Sequence, residues 1–496
     1  MGAGGGHAKV VIVGAGFSGL GMAIRLKRDG EEDFLVLERG DRVGGTWSVN
    51  TYPGCRCDVP SHLYSFSFAP NTEWSQTYSA QQEIRAYLQN CSERFGIGPH
   101  LRAGVEVLSA SWREEDALWA IETTAGPFTA SVLVCAMGPL TEPVNPAVPG
   151  LDSFTGKVMH SARWDHDYSL VGKRVASIGT GASAIQYVPQ IAQEVDQLYV
   201  FQRTAPWVMP HNNRPITDFE RRVYRRVPML QRLMRGGIYA GRELLVLGFA
   251  KQPRLMRAIE RLGNLHMDRQ ISDPGLRARV QPNFTLGCKR ILPSNEWYPA
   301  LQRPNVELMS GALAEVRPRS VIDANGEERE VDAVILGTGF HVTDPLYAGQ
   351  VRGRDGRLLS DVWQGSPRAY MGTAIPGFPN LFVLLGPNTG LGHSSMIYMI
   401  ESQIEHVRRA IVAREETGAA TIEVTPEAHA AYNDEIDSKL RGTVWDTGGC
   451  VSYYQDAKGR NATLWPDFTW RFRRRLAQLE PGAYALRSHD RETVSA

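Results

Sequence analysis

Short apolar runs that end in glycine turns recur along the chain, and two of them begin longer alternations of strand-like and helix-like segments. The first run, Lys9–Val13, is followed by a helical pattern and by a second short apolar run, Phe34–Leu37. Another run, Arg174–Ile178, is followed in the same way by a helical pattern and the run Leu198–Gln202. Parallel strands joined by helices give this alternation. The pattern therefore predicts an α/β protein with two doubly wound domains.

The turn after the first strand has the spacing of a dinucleotide site. It reads Gly14-Ala15-Gly16-Phe17-Ser18-Gly19. The three glycines permit a tight turn, a close approach of the backbone to a pyrophosphate, and packing of the helix on the strand. Glu38, at the end of the next strand, would bind both ribose hydroxyls and repel a 2′-phosphate. This site therefore suits FAD or NAD and disfavours NADP.

The turn after Ile178 repeats the fingerprint with one change. It reads Gly179-Thr180-Gly181-Ala182-Ser183-Ala184, with Gln186 in the helix that follows. Here the strand that ends the unit is followed by Arg203 and Thr204 in place of an acid. A guanidinium at this point favours a 2′-phosphate and so indicates NADPH. The alternative is a surface arginine in a salt bridge.

Two more buried runs that end in glycine turns, Val132–Gly138 and Ala333–Phe340, resemble the segments at which flavoproteins with two dinucleotide sites cross between domains, which implies crossings near 140–150 and 330–340. Between 212 and 281 long basic and apolar stretches replace the short strands, which predicts a helical insertion in the second domain. The fold expected is two Rossmann-like dinucleotide-binding domains, the second inserted into the first. The predicted boundaries are FAD domain 1–145, NADPH domain 146–332, and the rest of the FAD domain with a tail 333–496.

Length, charge and composition argue against some classes of function. With 496 residues the chain is too long for a single core, and 54 basic residues against 53 acidic ones do not suggest a nucleic-acid binder. One arginine cluster stands out: Arg221, Arg222, Arg225, Arg226, Arg232 and Arg235. It is interpreted either as a solvated helix face or as a surface near cofactor phosphates. No apolar run approaches the roughly 18 residues of a membrane span.

The cysteines show no spacing typical of a zinc site or of a disulfide framework. They are Cys55, Cys57, Cys91, Cys135, Cys288 and Cys450. The first residues, Met1–His7, are glycine-rich and lack the basic and apolar segments of a secretion signal. We therefore expect a protein of the reduced cytoplasm.

A stretch between the two domains carries a specific motif. Phe154, Gly156, His160, Trp164 and Asp165 fit the spacing F-x-G-x-x-x-H-x-x-x-W-[P/D]. In this respect the chain resembles the Baeyer–Villiger monooxygenases, whose N- and S-oxygenating relatives usually lack the final pair. The alternative is that this stretch only connects the two domains and that its histidine and tryptophan are simply buried. The resemblance implies that His160 couples domain movement to cofactor exchange and does not transfer protons.

A second block extends the resemblance, which spans nearly the whole chain, from Val10 to about Pro466. The residues that match it are Gly45, Thr46, Trp47, Tyr52, Pro53, Gly54, Asp58 and, further on, Tyr64. The resemblance implies that this loop runs along the flavin and brings Asp58 into the active site. A glycine- and proline-rich surface loop is the alternative.

A third block, Gly287-Cys-Lys289-Arg290, resembles the segment that places the active-site arginine of the same family over the flavin. Lys289 would then help Arg203 to hold the 2′-phosphate. The turn that contains Asn388 and leads to Met396 would lie near the flavin pyrimidine. A substrate pocket is expected from Met396, the stretch after Phe284 and the tail 444–454.

The family's chemistry gives each of these residues a role. NADPH reduces FAD, reduced FAD binds O2 as a C4a-peroxide, and the peroxide anion attacks a ketone to give an ester or lactone. Arg290 would favour the anion as a fixed cation in a dry site, and Asp58 would orient Arg290. Nothing in this chemistry needs a metal, and the sequence does not identify the ketone.

Three other functions remain open. An N- or S-oxygenating flavin monooxygenase differs chiefly in the protonation of the peroxide. A disulfide reductase with two dinucleotide sites would need a redox pair, for which Cys55 and Cys57 are the candidates. A flavin-binding protein without enzymatic activity would not need Arg203 and Lys289 at a 2′-phosphate.

Overall fold

The computed structural model describes residues 5–309 and 311–488. The strands in these ranges are β1 (His7–Val13), β2 (Phe34–Glu38), β3 (Leu101–Ala103), β4 (Val107–Arg113), β5 (Leu118–Thr123), β6 (Phe128–Cys135), β7 (Lys157–His160), β8 (Arg174–Ile178), β9 (Gln197–Phe201), β10 (Val208–Met209), β11 (Leu292–Pro293), β12 (Val306–Met309), β13 (Leu313–Arg317), β14 (Ser320–Asp323), β15 (Glu328–Glu330), β16 (Ala333–Leu336), β17 (Val351–Arg352), β18 (Leu381–Val383), β19 (Thr421–Val424) and β20 (Tyr484–Arg487).

The α-helices in the same ranges are α1 (Phe17–Arg28), α2 (Thr46–Val49), α3 (Gln81–Arg94), α4 (Ala184–Ile191), α5 (Asp218–Arg226), α6 (Pro228–Glu243), α7 (Met256–Gln270), α8 (Pro274–Val280), α9 (Trp297–Leu301), α10 (Leu359–Trp363), α11 (Met396–Glu416), α12 (Pro426–Leu440), α13 (Val444–Thr447) and α14 (Thr469–Leu476).

The first domain is built on a sheet in the order β17-β4-β5-β6-β1-β2-β3, with β18 also beside β6. Strand β6 changes its partner along its length. Its first half pairs antiparallel with β5, and its second half pairs in parallel with β18, where Leu133 faces Leu381. The centre of this sheet is fully buried, with Val10 and Ile12 in β1 inaccessible to solvent. Such apolar strands need helices or strands on both faces, as the doubly wound prediction required.

The second domain has a five-stranded parallel sheet in the order β12-β9-β8-β16-β7. Strand β16 lies between β8 and β7, since Ala333 pairs with both Val175 and Lys157. The return to the first domain therefore comes after Leu336, within the expected window 330–340 but later than the predicted boundary at 333. The apolar run before the glycine turn is the last central strand of the second domain.

The predicted helical insertion contains α5 to α8. Helix α5 begins with a capping box, in which Thr217 and Glu220 satisfy each other's backbone N–H groups. The chain breaks at Val227 because Pro228 cannot continue the hydrogen-bond ladder of α5, and it restarts as α6. Residues 218–243 of the predicted insertion thus form two helices. In the described parts of the chain, no helix combines the length and apolar character needed to cross a membrane.

Candidate active site

The first glycine turn has the geometry that a pyrophosphate site requires. Gly14 has a φ of +102°, which a side chain would strain. A Cβ on Gly19 would overlap the carbonyl oxygen of Gly14, so the helix can approach the turn only with glycine there. The Glu38 carboxylate accepts hydrogen bonds of 2.7 Å from the backbone N–H groups of Ala15 and Gly40. The predicted ribose-binding acid therefore lies directly beside the turn.

The other residues predicted to bind the flavin pack around this turn. Gly45 lies against Gly16, and Thr46 begins the short helix α2. The Phe17 and Tyr64 rings meet edge to face at 5.2 Å, and Trp47 donates a 3.2 Å hydrogen bond to the Tyr64 hydroxyl. Ser18 is buried in the first turn of α1. Two motifs that lie 30 residues apart in the sequence thus form one wall.

The second glycine turn leaves open space for a ligand. Gly179 has a φ of +106° and lies against Gly337, whereas a Cβ on Gly181 would meet nothing within 4 Å. Ala182 is exposed beside it, and Ser183 is the N-cap of α4. The Thr180 hydroxyl donates to the carbonyl of Thr204 at 3.2 Å and ties the turn to the end of β9. Backbone N–H groups at the N-terminus of a helix are suited to bind a phosphate.

The two cations predicted to bind the 2′-phosphate, Lys289 and Arg203, lie near each other. The ammonium group of Lys289 lies 5.0 Å from the centre of the Phe284 ring. Burial lowers the pKa of Lys289, and the positive charge of Arg203 lowers it further. The two side chains predicted to share a 2′-phosphate are therefore close enough to repel each other. An anion between them would remove that repulsion, so the residues present fit the phosphate of NADPH.

Arg290 and Asp58 form a bidentate ion pair. Nε of Arg290 donates to Asp58 at 2.9 Å, and Nη2 donates to both carboxylate oxygens at 2.6 Å. Burial acts to raise the pKa of Asp58, but the charge and hydrogen bonds of Arg290 outweigh it and hold that pKa below its usual value. Burial acts to lower the pKa of Arg290, and the Asp58 carboxylate raises it instead. Both groups are therefore charged at neutral pH.

Backbone and tail contacts fix the position of Arg290. Its Nη1 donates to the carbonyl of Leu391 at 3.0 Å, which belongs to the turn before α11. Gly287, at a φ of +92°, lets the Phe249 ring approach the chain three residues earlier. The N–H of Thr285 donates to the carbonyl of Gly448 at 2.9 Å. The arginine is thus held by segments from both domains.

Cys288 and Cys450 form a disulfide, which the spacing of the cysteines in the sequence did not indicate. Their Cα atoms are 6.1 Å apart, although 162 residues separate them in the sequence. The bond joins the residue before Lys289 to the C-terminal tail. Because disulfides are rare in reducing compartments, the cysteines do not support the predicted reduced cytoplasm.

The other four cysteines are free and buried, including Cys55 and Cys57. Burial raises the pKa of Cys55 to about 12, and it also raises the pKa of Cys57. Protonated thiols are poor nucleophiles. This pair therefore lacks the reactive thiolate that a disulfide reductase would need.

Two predicted cofactor residues have other contacts in the structure. The Asn388 amide donates to the carbonyls of Asn461 and Leu464 at 2.8 and 3.1 Å, and its oxygen accepts from Arg460 at 2.7 Å. Its backbone N–H donates to Ala462. These contacts show that Asn388 anchors the tail, and its contact with the flavin stays a prediction.

Gln186 has its amide engaged in a similar way. Its oxygen accepts from the Tyr52 hydroxyl at 3.0 Å and from the N–H of Arg56 at 3.2 Å, and its nitrogen donates to the carbonyl of Arg56 at 3.1 Å. Tyr52 and Arg56 belong to the loop that carries Asp58. Gln186 therefore fastens the second domain to that loop, and a contact with NADPH stays a prediction.

His160 ends β7 at the boundary between the domains. Its Nδ1 accepts from the N–H of Ala162 at 3.0 Å, and its ring lies 5.9 Å from Phe340 in the return crossing. Burial, helped by the charge of Arg163, lowers the pKa of His160 to about 4. Trp164 packs at 5.6 Å against Tyr187. His160 is therefore neutral at physiological pH, at a point where both crossings meet.

The residues expected to form the substrate pocket come together in one apolar cluster. Phe284, Val444 and Tyr454 are buried in it, and Met396 packs against its edge. Sequence reasoning missed one member of this neighbourhood, Arg242 of α6, whereas Tyr453 and Tyr454 belong to the predicted tail segment 444–454. Tyr453 and Tyr454 lie near Arg290, and the positive charge of Arg242 acts on Asp58. No motif marks Arg242, since the folding of the insertion over the site places it there.

Comparisons with known proteins agree with this arrangement. Residues 11–227 match the family described as pyridine nucleotide-disulphide oxidoreductase. A Baeyer-Villiger monooxygenase from Pseudomonas aeruginosa is 50% identical over 482 residues, which cover 97% of this chain and 92% of the relative. An oxidized steroid monooxygenase bound to NADP matches with a TM-score of 0.86 and 32% identity, covering 97% of this chain and 100% of the other. A structure of OTEMO in complex with FAD and NADP has a TM-score of 0.86 and 26% identity. The match covers 97% of this chain and 99% of the other.

Proposed function

The chain belongs to the Baeyer–Villiger monooxygenase family, and we propose that Arg290, held by Asp58, supplies the fixed positive charge on which its reaction depends. The protein is an NADPH-dependent flavin monooxygenase of this type. We propose that its substrate is a small ketone, which receives one oxygen atom from O2 beside the carbonyl and becomes an ester or lactone.

The bidentate pair of Arg290 and Asp58 is the observation that carries this proposal. Addition to a carbonyl builds negative charge on oxygen, and a positioned cation in a water-poor site stabilises that charge. A guanidinium stays protonated at any working pH, and the Asp58 carboxylate limits the cost of burying it. The carbonyl of Leu391 takes one more donor of Arg290 and leaves the rest of the guanidinium face for the reacting oxygen.

The two glycine turns would hold the two cofactors. FAD would lie along Gly14, Gly16 and Gly19, with its ribose on Glu38 and its ring system beside the wall of Phe17, Trp47 and Tyr64. NADPH would lie on the turn 179–183, with its 2′-phosphate between Arg203 and Lys289. When bound, the flavin supplies the two-electron chemistry that joins NADPH oxidation to the activation of O2.

His160 would serve to couple the domains. His160 ends strand β7, and its ring contacts Phe340, where the chain returns to the first domain. A change in the relative position of the domains would therefore change this contact. A histidine whose pKa is about 4 is a neutral imidazole near neutral pH and has no imidazolium proton to donate.

A side-by-side product analysis tests the proposal. The FAD-loaded enzyme is given NADPH, O2 and either a ketone or a sulfide, and products are identified by mass. Ester or lactone formation from a ketone is the expected result. An N- or S-oxygenating enzyme would yield sulfoxide from the sulfide but no ester from any ketone in the panel, and that outcome would contradict the proposal.

A further inference from the structure

Helix α6 presents a row of apolar side chains to solvent, whereas its inner face buries polar side chains beside Ile238 and Tyr239. Gln231 and Glu243 are buried on its inner face, together with much of Arg235. The outer face carries exposed apolar side chains: Met229, Leu230, Leu233, Met234 and, just after the helix, Leu244. We call these five residues the outer face of α6.

Hydrogen bonds from the inner side chains lock this orientation. Gln231 donates to the carbonyl of Asn71 at 2.6 Å, and Arg235 donates to the carbonyl of His62 at 2.8 Å. At the other end of the helix, Glu243 accepts from the N–H of Thr469 at 2.9 Å. Turning the helix would take these hydrogen bonds from the carbonyls of Asn71 and His62 and from the N–H of Thr469, which opposes the rotation. The outer face is therefore fixed toward solvent.

The exposed apolar surface is concentrated in this insertion. Among the residues that the structure describes, eleven of the nineteen exposed large apolar side chains lie between Phe219 and Leu265. Leu233 and Leu244 are 63% and 64% exposed. A concentration of this kind marks a surface that contacts another apolar phase.

Charge identifies the kind of partner. Residues 218–270 contain twelve arginines and lysines against five acids, whereas the whole chain has 54 against 53. Within 227–248 the single acid is Glu243, which is buried. Arg226 and Arg232 are exposed beside the outer face, and Arg254 and Arg257 are exposed after it. A stripe of leucine and methionine with arginines at both ends complements an anionic lipid surface.

We propose that the outer face of α6 binds the surface of a bilayer that contains anionic lipids. The helix lies parallel to the bilayer, its leucine and methionine side chains enter the boundary between headgroups and acyl chains, and the neighbouring arginines contact lipid phosphates. Binding of this kind needs no spanning helix. A second copy of the chain is the rival occupant, because residues outside the insertion carry a net negative charge.

Vesicle flotation with the full-length, FAD-loaded protein tests the proposal. The probes are vesicles of phosphatidylcholine alone and vesicles that also contain phosphatidylglycerol. We expect binding to the anionic vesicles that weakens as salt rises. The double variant Leu233→Gln/Met234→Gln should weaken binding at least tenfold. Arg226→Gln/Arg232→Gln should weaken it roughly 25-fold, at about fivefold for each arginine near the surface.

Matched variants outside the insertion serve as controls. Leu108→Gln/Val171→Gln removes apolar side chains that are 50% and 65% exposed, and Arg303→Gln removes an exposed arginine. These controls should bind vesicles like the parent protein. All variants should keep their FAD and their oxidation of NADPH, since none of these residues lies at the proposed site.

Three outcomes would overturn the proposal. The protein could fail to float with anionic vesicles, or it could bind neutral and anionic vesicles equally. The variants of the outer face could also bind as tightly as the controls. Sedimentation velocity addresses the rival: a dimer that Leu233→Gln/Met234→Gln dissociates, without vesicle binding by the parent, would assign the outer face to a second copy.

Discussion

Replacing Arg290 by alanine should stop ester formation while NADPH oxidation continues. The substitution deletes three hydrogen bonds of 2.6–2.9 Å to Asp58 and one of 3.0 Å to the carbonyl of Leu391. It touches neither glycine turn, so FAD and NADPH should still bind. The electrons taken from NADPH should then appear as hydrogen peroxide instead of ester.

The size of the effect follows from the pair's geometry. Loss of a positioned charge stabiliser costs about 3 kcal/mol in the chemical step, which is roughly 150-fold in rate. The charge of Arg242 also lowers the pKa of Asp58, but by less than Arg290 does, so we expect it to replace the lost charge only in part. Arg290→Lys keeps a cation but loses the two-pronged hydrogen bonding, so its ester yield should fall between those of the parent and the alanine variant.

The assay follows three quantities in the same reaction: NADPH absorbance, hydrogen peroxide, and ester by mass. Asp58→Ala should show the same uncoupling in a milder form, since the arginine remains but is poorly oriented. FAD content of each variant provides the control for folding. If Arg290→Ala makes ester at nearly the parent rate, the proposed site is wrong.

Three further predictions address other parts of the chain. The enzyme should prefer NADPH to NADH at least tenfold in kcat/KM, about 1.4 kcal/mol, and Arg203→Ala should erode this preference mainly through the KM for NADPH; equal use of both nucleotides by the parent would refute the phosphate site. His160→Ala should slow turnover without removing a limb of the pH–rate profile near neutrality, because a pKa of about 4 keeps the histidine neutral there; loss of such a limb would make it a catalytic base. Thiol titration of the denatured protein should give four thiols before reduction and six after it, and six without reductant would exclude the disulfide of Cys288 and Cys450.

The parts of the site that the sequence predicted are local in the chain. A glycine turn between strand and helix determines its own backbone shape, so Gly14 and Gly179 could be interpreted from six consecutive residues. The acid Glu38 follows at a spacing set by one helix and one strand. The pairing of Asp58 with Arg290 came from family resemblance, because no physical rule links residues so far apart in sequence.

The missed features all depend on contacts between distant segments. The disulfide joins residues 162 apart, and neither cysteine has a neighbour that signals pairing. Asn388 lies in a turn of the expected kind, but its amide is used by a tail whose course the sequence does not give. An apolar strand before a glycine turn, such as residues 333–336, could belong to either domain. Only the pairing of Ala333 with Val175 shows that this strand belongs to the second domain.

The ion pair of Asp58 and Arg290, which we propose to be catalytic, connects the two domains. Asp58 lies on a loop of the first domain that Gln186 of the second domain holds by three hydrogen bonds. Arg290 comes from the second domain and donates back to Leu391 in the first. A partly buried guanidinium without its carboxylate is costly, so separating the domains would cost the free energy of this pair as well as the packing around it. It follows that the site has its positioned charge only while the two domains are docked, and that mutations at Gln186 should affect ester formation through Asp58 even though Gln186 need not contact the ketone.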